Sequence, residues 1–237
     1  MSEKKLDIYF EFNNTNINLA AFNKNNDKLE YYKEFPYLSY FNNYNELNFE
    51  KLDKLLEDCI FEIEKSTKEF LKDVYLIVET AESTSIQISV RKNNEGNIIG
   101  KEDAIYLIQD AKQQLLRSNH DLRIIHIIVE NYILDDVKHN FLPINKKCKK
   151  FSIDIKFICF PKDLKKNFED LFSKHQINIH RFISLNYLNE FNFINIDKNS
   201  CERGRDIIKG INKQEVVLVP KELKKKGFFE RLFHLFK

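Results

Sequence analysis

Arg123-Ile124-Ile125-His126-Ile127-Ile128-Val129-Glu130-Asn131-Tyr132-Ile133-Leu134 is a β-branched run with a strongly apolar first half, and it reads as a long strand. Phe151, Ile153, Ile155 and Phe157 alternate with Ser152, Asp154 and Lys156, so Phe151 to Phe160 reads as its partner. Working outward, Pro161 opens a helix with Leu164, Phe168, Leu171 and Phe172 on one face. Ile177 to Leu185 follows as a strand carrying Ile177, Ile179 and Phe182. Upstream, Ala104, Ile105, Leu107, Ile108, Ala111, Leu115 and Leu116 repeat at helical spacing. Ser85 to Val90 is a strand ending in Asn93-Asn94-Glu95-Gly96. From Ser85 to Leu185 the order is therefore strand, helix, strand, strand, helix, strand.

The start of the chain has a different pattern. Leu6 to Glu11 and Ile17 to Phe22 are strands joined by the turn Asn13-Asn14-Thr15-Asn16, and Leu29 to Phe35 is a third strand after the turn at Asn23 to Lys28. Asn48 is a suitable N-cap for a long helix with Phe49, Leu52, Leu55, Leu56, Cys59, Ile60, Ile63 and Phe70 at spacing three and four. Val74 to Glu79 is a short buried strand. These elements read as a separate unit. Past Asn186 the pattern weakens, with Val216 to Val219 a short last strand before Pro220.

Composition narrows the function. The 237 residues are 43% hydrophobic, enough for a real core, and the net charge is only +2. That balance argues against a nucleic-acid binder. Cys59, Cys148, Cys159 and Cys201 lack CxxC spacing and read as reduced structural thiols. Glycine is scarce, with five in all, and there is no GxGxxG, GxxxxGK[ST] or GxSxG. Phosphate-cradling loops need glycine for close backbone approach. No signal peptide or spanning segment is apparent; Met1-Ser2-Glu3-Lys4-Lys5 leads straight into a strand. The expectation is a chain made in the cytosol that reaches a membrane from that face.

The last residues carry the clearest functional signal. On a helical wheel Phe228, Phe229, Leu232, Phe233, Leu235 and Phe236 share one arc, opposite Glu230, Arg231, His234 and Lys237. Lys224, Lys225, Lys226 and Gly227 lead into this segment. It is too short and charged to span a bilayer, and it suits a helix lying in an anionic membrane interface. Each nearby lysine or arginine there contributes roughly 1 kcal/mol. The membrane-binding set is thus Lys224, Lys225, Lys226, Phe228, Phe229, Arg231, Leu232, Phe233, Leu235, Phe236 and Lys237. Docking on the protein's own core or in a partner's groove are the alternatives.

Other chemistry is sparse. His120, His126, His139, His175, His180 and His234 form no metalloprotease spacing, and His175 and His180 read as surface residues beside a turn. Asp135-Asp136 reads as a turn rather than an acid/base pair. Cys201-Glu202-Arg203-Gly204-Arg205-Asp206 reads as a charged loop without a visible base for a nucleophile. Lys146-Lys147-Cys148-Lys149-Lys150 is a basic loop, either solvated or facing anionic lipid or an acidic partner.

This order of elements resembles the bacterial cell-division protein FtsA, an actin-like membrane tether of the FtsZ ring. Ile127-Ile128-Val129-Glu130-Asn131-Tyr132-Ile133-Leu134-Asp135 is similar to a family stretch of apolar strand, polar pair, aromatic and Ile-Leu-Asp. Val74-Tyr75-Leu76-Ile77-Val78 is placed like the family's strand after the long helix. Lys174-His175-Gln176-Ile177-Asn178-Ile179 is placed like its helix end, turn and strand. Lys224 to Leu232 looks like a family tail. The resemblance implies an α+β fold: a partial actin-like (ribonuclease H-like) first lobe over residues 1–84, an inserted SHS2 subdomain over 85–184, a remnant or linker over 185–220, and an amphipathic membrane-targeting helix over 221–237.

The family's first phosphate loop, Asp-Ile-Gly-Thr-Thr, would fall at Glu11-Phe12-Asn13-Asn14-Thr15-Asn16, where its Asp and Gly are absent. About 35 residues stand where a second lobe would be, and Ile194-Asn195-Ile196-Asp197-Lys198 is at most a vestige of the second loop. The expectation is a non-catalytic peripheral membrane scaffold of the division machinery at the cytoplasmic face of the inner membrane, at midcell. It has no cofactor, metal or nucleic acid. Its partners are anionic lipid, other divisome proteins and further copies through the SHS2-like subdomain. The alternatives are an actin-like ATPase or a pilus-assembly relative completed by a second chain.

Overall fold

The structure, a computed structural model, describes residues 6–36, 49–191 and 197–218. The first strands are β1 (Leu6–Phe12), β2 (Asn16–Asn23) and β3 (Leu29–Pro36), an antiparallel meander. The first turn is tight because Asn13 folds its side chain over it: Oδ1 accepts from the backbone N–H of Thr15 at 3.0 Å and of Asn16 at 2.8 Å. Helix α1 (Phe49–Thr67) then crosses to β4 (Asp73–Val78), which pairs parallel with β1. The N-cap expected at Asn48 lies outside the described residues. Phe70 does not extend the apolar face of α1; it follows the helix end and is 87% exposed.

Between β4 and the rest of the first sheet stands an inserted unit. It runs β5 (Thr84–Asn93), α2 (Lys101–Ser118), β6 (Leu122–Leu134), β7 (Val137–His139) and β8 (Lys150–Pro161). Its sheet has the order β5-β8-β6-β7 and is antiparallel throughout. One face packs on α2 around Val129, Phe151, Ile153, Ile155 and Phe157. The other face is polar, with Gln87 donating to Glu130 and both Ser89 and Asn131 donating to Asp154. Alternation of period two along β8 produces this split.

The chain then returns through α3 (Lys162–Lys174) and β9 (Asn178–Ser184). The order of elements along the sequence groups both with the second unit. Instead β9 pairs parallel with β4, completing a five-stranded sheet of order β3-β2-β1-β4-β9. The reason is burial. Val74, Leu76 and Ile77 on β4 and Phe182 and Ile183 on β9 are all buried, as neighbouring parallel strands covered on both faces require. Phe168 and Phe172 of α3 meet Phe12 and Phe10 edge-on at 5.2 and 5.3 Å, in the same core as Leu56 and Ile63 of α1.

The opposite face of this sheet is covered by α4 (Leu185–Glu190) and α5 (Ser200–Ile208). The Cys201–Asp206 stretch, expected as a charged loop, is the body of α5. Asn199 caps it reciprocally with Glu202: Asn199 Oδ1 accepts from the Glu202 N–H at 2.9 Å, and Glu202 Oε2 from the Asn199 N–H at 3.0 Å. Gly204 lets the helix lie directly on Ile77 and Ile183. After α5 the chain turns back to the inserted sheet, where Glu215 bridges Ile128 and the Val216 N–H donates to the Ile127 carbonyl at 2.8 Å. The expected last strand at Val216 to Val219 is thus a short bridged segment in its described part.

Candidate functional site

The hairpin between β1 and β2 stands where the resemblance would put a phosphate loop. Its polar groups are already engaged. Glu11 is buried, and its carboxylate accepts from Asn13 Nδ2 and from Asn18 Nδ2, each at 3.0 Å. The backbone N–H of Asn14 donates to Glu79 at the end of β4 at 2.9 Å, and the Glu79 N–H donates back to the Phe12 carbonyl at 2.9 Å. A phosphate entering this turn would meet a carboxylate on the N–H it needs, and an Asn side chain where close backbone approach calls for glycine.

The densest polar cluster joins the two sheets. His126 of β6 is buried. Its Nε2 accepts the Ser184 backbone N–H at 3.0 Å, which leaves the ring proton on Nδ1, donated to Glu215 at 2.8 Å. Glu215 also takes Arg181 of β9 and the Tyr187 hydroxyl at 3.1 Å, and Asn212 donates to that hydroxyl at 2.7 Å. Burial pushes the His126 pKa down, against the pull of Glu215. Burial alone would raise the Glu215 pKa, but His126, Arg181 and Tyr187 hold it below the usual carboxylate range. His126 and Glu215 are sealed from solvent, so the cluster is a clasp between sheets rather than a substrate site. No local pattern in the sequence announces it, because His126 and Glu215 are far apart in the chain.

The remaining candidates fall as follows. The tail residues from Lys224 to Lys237 lie outside the described residues, as do Ile194 to Ile196. Lys198 pairs with Asp206 of α5 at 2.6 Å. His175 and Lys174 both hold Asp53 at 2.8 Å, tying α3 to α1. His180 packs edge-on against Tyr75. Asp135 and Asp136 form the left-handed turn between β6 and β7, and Asp135 caps the backbone N–H groups of Lys149 and Lys150. Those N–H groups hold its pKa below the ordinary range. All four cysteines are free and buried. Burial raises the Cys59 thiol to about 12 and the Cys159 thiol to about 11, and Cys201 rises well above its usual value for the same reason. No group of three or more His, Cys, Asp or Glu able to hold a metal occurs among the described residues. No described helix is long and apolar enough to cross a membrane.

Two surfaces of the inserted unit face outward. The free side of β6 is occupied by β7 and by the bridge at Glu215, whereas β5 is, among the described residues, a ten-residue edge strand with a continuous register to β8. Such an edge is a template for an added strand. At the far end of the sheet, the loop before β8 exposes apolar and basic side chains together.

A five-stranded sheet of this order with an inserted strand–helix–strand–strand–strand unit is a mixed α+β, partial actin-like (ribonuclease H-like) fold. One solved structure supports this at the level of fold. The chain resembles the "PilM-PilN type IV pilus biogenesis complex" at 6% identity and a TM-score of 0.50, over 78% of this chain and 49% of that one. It is also similar to the cytoplasmic domain of EpsL, an inner membrane component of the Vibrio cholerae type II secretion system (11% identity, TM-score 0.37, 80% and 59% coverage). A third similar structure is a Bacteroides thetaiotaomicron protein with an actin-like ATPase fold and unknown function (15%, 0.35, 78% and 54%). The chain spans about half the length of these structures. No protein-family model matches it, and no curated protein matches it by sequence.

Proposed function

We propose that this chain is a non-catalytic docking and tethering protein of a membrane-associated bacterial assembly machine. The observation that carries this reading is the β1–β2 hairpin, whose groups are held by Glu11 and Glu79 in place of a phosphate. The inserted sheet supplies the docking surface through the open edge of β5, to partner proteins or to further copies. The C-terminal segment supplies attachment to anionic lipid at the cytoplasmic face of the inner membrane. One short amphipathic helix binds weakly, so several copies or a second contact are needed.

For the process, the tail and element order support a role in cell division at midcell. Assembly of a pilus or secretion apparatus is the second reading, favoured by the fold likeness to PilM. The test has two arms. Saturating Mg-ATP should leave the thermal midpoint unchanged, since a ligand that binds only the folded state raises it; a raised midpoint would refute the non-catalytic reading. Phe229→Glu with Phe233→Glu should release the chain from phosphatidylglycerol vesicles; undiminished pelleting would refute the tail anchor.

A further inference from the structure

The far end of the inserted sheet is a second apolar and basic surface. Residues 94–99 and 145–149 pair beyond the ends of β5 and β8. Ile98 bridges Lys147, the Ile99 N–H donates to the Lys146 carbonyl at 2.9 Å, and the Asn145 N–H donates to the Ile99 carbonyl at 3.0 Å. Ile99 and Cys148 face the core, which turns Ile98 and Lys147 outward. Leu142 packs on the core around α2 and roots the loop. Its neighbours stay outside: Phe141 is 67% exposed, Ile144 42% and Ile98 55%.

Lysines surround these side chains. Lys138, Lys146, Lys147, Lys149 and Lys150 are exposed, and none joins a salt bridge among the described residues. The same end carries Glu95, Asp136, Asp135 and, beside Lys101 at the start of α2, Glu102; Asp135 is engaged by the backbone N–H groups of Lys149 and Lys150 at 2.9 and 2.8 Å. We infer that this end of the inserted sheet is a second membrane contact, in which Phe141, Ile98 and Ile144 enter the interface of an anionic bilayer and the lysines meet its headgroups.

The residue types favour lipid over protein. Residues 137–150 hold five lysines and no arginine. Protein hot spots and phosphate clamps favour Arg, Trp and Tyr, while a point charge on a flexible stem serves a diffuse anionic surface. Position matters too. The last described segment runs back along β6, with Gln214 opposite Val129 and Val216 opposite Ile127, away from this end. Val216 therefore lies roughly 23 Å from the Leu134 end of β6, seven residues at about 3.3 Å per strand residue. A second weak contact on the same chain raises the affinity of the whole for the bilayer. This inference rests on the membrane reading above but uses different residues.

The chain contains no tryptophan, so Phe141→Trp in the full-length protein gives a single reporter. With vesicles containing phosphatidylglycerol, its emission should shift to the blue and be quenched by brominated acyl chains; phosphatidylcholine vesicles should do neither. Replacing Lys146 and Lys147 by Ala should weaken partitioning roughly fivefold per lysine. An unshifted indole signal from the Phe141→Trp variant, in a protein that pellets through its tail, would overturn the inference and leave the tail reading intact. A shift that follows protein concentration without lipid would overturn it in favour of a protein contact. If Phe229→Glu/Phe233→Glu leaves both the pelleting and the Phe141→Trp shift in place, the tail reading fails and the loop contact stands.

Discussion

Replacing Gly204 by Ala tests whether α5 lies where the structure places it. A Cβ added there would come within 2.7 Å of Ile77 Cδ1, 3.3 Å of Ile77 Cγ1 and 3.4 Å of Ile183 Cδ1. In an exposed helix the same change would stabilise by about 1 kcal/mol through backbone entropy. Here Ile77 is fully buried beneath the helix and cannot swing into solvent. Overpacking of this kind costs about 1–3 kcal/mol, so the net effect should be a loss of about 1 kcal/mol. Ile77→Val removes the clashing Cδ1 and alone should cost about 1 kcal/mol. In the double variant the Ala methyl takes up the vacated space, so the two changes should couple by about 1 kcal/mol or more. Urea unfolding of the four proteins at constant m-value measures this cycle. Stabilisation by Gly204→Ala in both backgrounds, with no coupling, would refute the close packing of α5 on the sheet.

The clasp predicts a dependence on pH. Burial holds the pKa of folded His126 below that of the unfolded chain, which takes up its proton near pH 6.5. Stability is therefore full above that pH and falls as the pH drops below it. His126→Gln should flatten this part of the curve; an unchanged slope in denaturant titrations would contradict the buried neutral ring. Glu215 adds a loss at lower pH, as its depressed pKa is reached. Asn199→Ala removes the α5 cap and should cost about 1 kcal/mol, read as a lower urea midpoint.

How far the sequence reveals this molecule depends on the range of the contacts. The strands β1 to β3, the helices α1 and α3 and the pair β6–β8 are legible, because each announces itself by its own periodicity and by Asn-rich or Pro punctuation. The partner of β9 is not, since parallel pairing with β4 spans the whole insertion and leaves no local mark. Helix α5 is hidden by Glu202, Arg203, Arg205 and Asp206, which look solvated, although Arg205 is nearly buried and reaches Asp27. The reciprocal cap of Asn199 and Glu202 is the signal available for it. Of the candidate site, the lost glycine in the β1–β2 turn is readable, but the carboxylates that close it are not.

The placement of β9 sets an order of events during synthesis. β4 must wait about a hundred residues for its neighbour, so the first sheet carries an unpaired parallel edge until β9 has left the ribosome. The inserted sheet has no such wait, since among the described strands β5, β6, β7 and β8 pair with one another and the bridge from β6 to Glu215 is added later. It is free to fold first as a nascent kernel beside an unfinished lobe. Final closure then falls to the clasp, whose last member, Glu215, is made after every strand it joins. A nascent chain stalled before Glu215 would hold both sheets with the latch between them still open.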